Sequence, residues 1–160
     1  MPLGGIITLA VLLPNLLMFI LPPVGIPPKP EKKDGLMKIM EVIERIGQAS
    51  SFVIPFFYPL PALREASVDA LVVMALALLF YYVCWARYAL KGHRFVLLYA
   101  PLFGVPLPMA VSPVVYFAAA AIFLRSLPLA IAVGLLTTGH LYMSYSEWKR
   151  CEDTMFLQTG

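Results

Sequence analysis

Charge is scarce in this chain. Only 13% of its 160 residues are Asp, Glu, Lys or Arg, about half the share of a soluble domain, and that excludes an ordinary water-facing surface. There are two cysteines, Cys84 and Cys151, too few and too far apart for a disulfide framework. No HxxxH, ExxH or second nearby His or Cys accompanies either histidine, so no metal ligands are assigned. A Gly-x-Ser-x-Gly elbow, an HExxH pair and a phosphate-cradling glycine loop are all missing, so no catalytic residue is named and catalysis is the less favoured class. The net charge of +3 is not a nucleic-acid footprint, because no Lys/Arg run interleaved with aromatics exists. A basic n-region and a small-residue cleavage site are lacking near the start, so Leu3 to Leu21 reads as a retained span rather than a signal peptide.

What fills the space is apolar: 61% of the residues are hydrophobic. Val68 to Lys91 carries no charge between Ala70 and Ala86. Those residues cover roughly 36 Å as a helix, enough for a hydrocarbon core of about 30 Å. Tyr81, Tyr82, Trp85, Arg87, Tyr88 and Lys91 close it with the residue mix of a lipid–water border. The expected fold is an all-α integral membrane protein, a five-transmembrane-helix bundle with proline-kinked helices. Its spans are placed at about 3–21, 36–60, 68–91, 107–124 and 127–147. Residues 1–148 form one domain, and 149–160 a frayed cytoplasmic tail. Pro14 should kink the first span, with Asn15 free to satisfy the released carbonyl or project inward. Asp34 and Ser67 are expected N-caps. Pro55 should bend the second span, and Arg125-Ser126 should end the fourth. The proline-broken stretch 95–106 must be interfacial or re-entrant, since lipid does not tolerate bare irregular backbone. Ala118 to Ala121 suits close helix packing.

The basic residues sort by side. Lys29, Lys32, Lys33, Lys38, Arg45, Arg87, Lys91, Arg94, Lys149 and Arg150 fall at one end of the expected bundle, ten of the twelve, leaving Arg64 and Arg125 for the other. The positive-inside rule then places the N-terminus outside and the C-terminus in the cytoplasm of a plasma or inner membrane.

Polar residues follow the same sorting. Glu41, Glu44, Arg45 and Gln48 stand at helical spacing in the second span, and His140 and Ser144 in the fifth. With Asn15 and Arg87 they define a candidate ligand pocket open to the cytoplasm, walled by the first, second, third and fifth spans. The plainer reading of Glu41, Glu44 and Arg45 is a solvated face with an internal ion pair, and Arg87 is an ordinary snorkelling cation. No cofactor is assigned. The leading function is binding or transport of an amphipathic or organic solute. The alternatives are a membrane-embedded enzyme acting on a lipid or isoprenoid, and an accessory or scaffold subunit. Expected partners are the bilayer, a small organic or lipid ligand, and a second copy or a membrane subunit, but not nucleic acid. Several families of similar size are set aside. The tryptophan-rich signature of the translocator protein, the Pro-Gln pair of PQ-loop sugar transporters and the first-span acid of small multidrug transporters are all absent.

Overall fold

A computed structural model describes residues 3–28, 34–62 and 67–159, with side chains to 154. Lys29, Lys32, Lys33 and Arg64, used above for orientation, lie outside the described residues. The chain is all-helical: α1 (Gly5–Asn15), a one-turn α2 (Leu17–Ile20), α3 (Gly35–Val53), α4 (Val68–Leu90), α5 (Pro108–Phe123) and α6 (Leu127–Thr159). Two 3₁₀ turns, Ile54–Phe57 and Phe95–Leu98, complete it.

Helix starts follow local chemistry. The Asp34 carboxylate accepts from Met37 N at 2.6 Å, and Ser67 Oγ accepts from Ala70 N at 3.3 Å, each satisfying a first-turn amide. Arg125 turns the chain with φ 51°. Ser126 Oγ then caps α6 through Leu129 N at 3.2 Å.

Two expected boundaries move. The second segment does not run as a bent helix to residue 60; α3 stops at Val53 and tightens into a 3₁₀ turn containing Pro55. The tail is not frayed. α6 continues to Thr159, and Cys151 is buried, sharing a cleft with Thr154 and residues Val24 to Pro28.

By length and composition, two described helices are able to cross a membrane, Val68–Leu90 and Leu127–Thr154. Gly5–Ile20 and Pro108–Phe123 are apolar but shorter, and α3 carries Lys38, Glu41, Glu44 and Arg45. The five crossings expected above are therefore not supported on these criteria.

Hydroxyl-to-carbonyl bonds tie α1 and the residue after α2 to the other helices. Thr8 Oγ1 donates to Phe52 O at 2.8 Å, Tyr116 to Ile7 O at 3.1 Å, and Tyr88 to Leu21 O at 2.7 Å. Pro14 has no N–H, so the Ala10 carbonyl loses its helical donor. Asn15 does not replace it. That carbonyl accepts from Tyr82 of α4 at 2.9 Å, while the Asn15 amide donates to Val11 O. Tyr82→Phe is expected to destabilise the chain by about 1 kcal/mol. In a Pro14→Ala background the restored amide reclaims Ala10 O, and that cost should vanish. A double-mutant cycle of denaturant midpoints checks this; strictly additive losses would refute it.

Two connecting segments meet at one end of the helices. Val24 N donates to His93 O at 3.0 Å and Phe95 N to Val24 O at 2.8 Å, joining the loop after α2 to the turn after α4. The C-terminal part of α6 lies against the same loop. At the other end, Gly4 N donates to Tyr58 O at 3.0 Å.

Candidate functional site

The close approach of α3 to α6 makes the site. A Cβ on Gly139 would run into the backbone N and Cα of Glu44, and one on Gly47 into the backbone of Leu136. Without side chains at these two points the helix backbones touch. Gly139 precedes His140, so the same contact brings His140 Nδ1 to 2.6 Å from Glu44 Oε1. Each side chain keeps about a fifth of its surface exposed. One proton lies along that contact, and the other ring nitrogen has no protein partner among the described residues.

Two cavities meet at this pair. The inner one, about 280 Å³, is lined by Asn15, Gln48, Tyr81, Trp85, His140 and Ser144 together with aliphatic and aromatic side chains. The outer one, about 890 Å³, is lined by Glu44, His140, Ser144, Glu147, Lys149 and Arg150 among others. Met18, Tyr99, His140 and Ser144 belong to both walls. The outer cavity is charged, with Arg150 paired to Glu147 and Lys149 over the Tyr145 ring. Aspartate, glutamate, lysine and arginine are absent from the inner lining. Burial, followed by the Glu147 carboxylate, holds the Tyr99 hydroxyl well above the usual phenol range, so it remains a proton donor.

No family model, curated protein or solved structure matches this chain. Its site is therefore read from geometry alone.

Of the residues expected in the pocket, Asn15, Glu44, Gln48, His140 and Ser144 are brought together. The other three are not. Glu41 pairs with Arg45 at 2.6 Å along α3, and the Arg45 side chain is 75% exposed; neither lines either cavity. Arg87 donates to Ala100 O at 3.1 Å and Pro101 O at 3.0 Å, clamping the loop before α5. Its cation is spent on carbonyls of irregular backbone, which need a donor when removed from water.

Tyr81 donates to Asn15 Oδ1 at 2.7 Å and Trp85 sits beside it; the sequence allows these aromatics an apolar ligand site, though packing and an interfacial belt are the commoner uses. Sequence reasoning missed other members. Tyr99 reaches the site from the proline-broken stretch. The first turns of α5 also contribute a wall through Met109, Ala110 and Pro113, which the four-walled expectation left out. Among the described residues there is no group of three or more His, Cys, Asp and Glu placed to hold a metal ion.

Proposed function

We propose that the chain is a compact multi-pass membrane bundle that binds or carries a small organic solute through the paired cavities. The C-terminus and the cavity mouth would face the cytoplasm. The observation that carries this reading is the inversion of α3. Leu36, Ile39, Val42, Ile46 and Val53 are each at least half exposed, while Glu44 and Gly47 face α6. A helix in water does the opposite, turning its apolar stripe inward. Hydrocarbon around the bundle accounts for the inversion, since there the polar group seeks the interior. Exposed Leu71, Val72, Leu76 and Leu79 of α4 and Leu127, Ile131 and Leu135 of α6 extend the apolar exterior. The shorter α1–α2 and α5 would cross only where the bilayer thins, a modest cost per ångström.

Orientation and crossing number are tested together by labelling single cysteines in a Cys84→Ala, Cys151→Ser background. An impermeant maleimide applied to intact cells is expected to reach Arg125→Cys, and to reach Gly92→Cys and Asp153→Cys only after permeabilisation. Labelling of residues 92 and 153 from opposite faces would overturn the arrangement. The Glu44–His140 pair also suits acid–base chemistry on a lipid; turnover, rather than saturable binding alone, would mark an enzyme.

A further inference from the structure

Three side chains with an unused polar atom meet at the neck between the two cavities. Tyr99, His140 and Ser144 line both. Ser144 is 5% exposed, yet its hydroxyl makes no hydrogen bond among the described residues and is not sealed off from the cavities. A buried hydroxyl left without a partner calls for a reason. Ser144 stands one turn beyond His140 on α6, and residues so spaced share a face. The Tyr99 hydroxyl and His140 Nε2 are in the same condition, unpartnered among the described residues and open to the cavities.

The chemistry of these atoms narrows the occupant. An ionised carboxylate only accepts, so the 2.6 Å contact with Glu44 Oε1 puts a proton on His140 Nδ1. With the ring neutral, Nε2 is then an acceptor. The neck thus offers the hydrogens of two hydroxyls and the lone pair of one nitrogen. An alcohol oxygen matches that set atom for atom: its hydrogen goes to Nε2, and its lone pairs take the Tyr99 and Ser144 hydrogens. An ether or a ketone has no hydrogen for Nε2. An ammonium has no lone pair, so both hydroxyl hydrogens would go unmatched. A carboxylate lacks the hydrogen and would also stand against the Glu44 charge. Met18, Met37, Phe95 and Met143 give the outer cavity an apolar wall, and methionine chains adapt to irregular shapes. Its volume of about 890 Å³ lies in the range that holds small organic ligands. The cations on its wall are engaged, Arg150 with Glu147 and Lys149 over the Tyr145 ring. We infer that the neck binds the hydroxyl of an uncharged amphipathic alcohol, whose hydrocarbon lies along the methionine wall of the outer cavity. This rests on the solute-binding reading above and adds the class of solute.

The test uses the full chain in lipid nanodiscs. Four probes sharing one hydrocarbon chain are compared at neutral pH: geraniol, geranyl methyl ether, geranylamine and geranate. Binding is read from the shift in unfolding temperature, with each probe's concentration expressed per lipid. Geraniol should bind about tenfold more tightly than the ether, the factor of one hydrogen bond, and both charged probes should bind more weakly than geraniol. Ser144→Ala and Tyr99→Phe remove hydroxyls that bond nothing in the protein, so the unfolding temperature without probe should hardly change. Each should nevertheless weaken geraniol binding about tenfold. Equal binding of geraniol and its ether, or tighter binding of either charged probe, would overturn the solute class and leave the pocket standing. Unchanged geraniol binding in either variant would overturn the placement at the neck. No saturable binding of any probe would remove the solute-binding reading as well.

Discussion

Gly139→Ala should destabilise the chain by about 3 kcal/mol, near the upper end of what overpacking does. The added methyl meets the backbone of Glu44, not a movable side chain, so relief requires α3 and α6 to separate along their length. Gly134, five residues earlier on the same helix, provides the contrast. Nothing lies within 4 Å of a Cβ there. Gly134→Ala should be neutral or stabilising by up to about 1 kcal/mol, from helix propensity alone. Midpoints of unfolding in a denaturing-detergent titration check both. Similar values for the two variants would show that α3 and α6 do not touch as described. The Gly139 variant should also lose the His140–Glu44 contact, so the site falls with the packing.

The second large effect belongs to that pair. His140→Ala leaves the Glu44 carboxylate facing a helix interface without its donor. Losing one partner of a fully buried pair costs about 3–5 kcal/mol; the residual exposure of both side chains lowers the expectation to about 2. Glu44→Gln keeps a group able to bond the imidazole and should cost less than half as much. The double variant should lose less than the sum of the single losses, with a coupling of about 1–2 kcal/mol. Saturable binding should disappear with either truncation while helical content persists. Arg45→Ala should change stability by no more than about 0.5 kcal/mol, because its partner Glu41 holds it at an exposed i,i+4 position. Thermal melts with a ligand-binding readout decide this; an Arg45 effect as large as that of His140 would refute the assignment.

The contrast between Glu44 and Arg45 shows where the sequence was legible. Both were assigned to one polar face by spacing, yet they sit about 100° apart on a helix, enough to put one inside and one out. What separates them is the identity of neighbours: Gly47 and Ser51, at i+3 and i+7 from Glu44, are buried, and mark the contact face. Caps at Asp34 and Ser67 and the break at Arg125-Ser126 were readable because each depends on residues within one turn. Asn15, Gln48, His140 and Ser144, grouped by helical spacing and the alternation of the segments, line one cavity. The role of Tyr99 was not legible, and for Tyr81 and Trp85 a ligand-lining role stood second to packing and an interfacial belt. An aromatic at a helix end satisfies both an interfacial belt and a cavity wall, and only the partner across the bundle decides between them. The tail was misread for a similar reason, since its polar composition says nothing of the loop at Val24 to Pro28 that covers Cys151.

The span of the Glu44–His140 contact bears on how the molecule is made. Its partners are separated by 96 residues, so the nascent chain carries Glu44 for roughly 5–20 s of translation before His140 leaves the ribosome. Through that interval α3 has a carboxylate, no mate for it, and an oily opposite side, which suits a helix lying flat at the headgroups rather than upright. On the membrane reading, α6, made 96 residues later, is the helix that draws α3 into place.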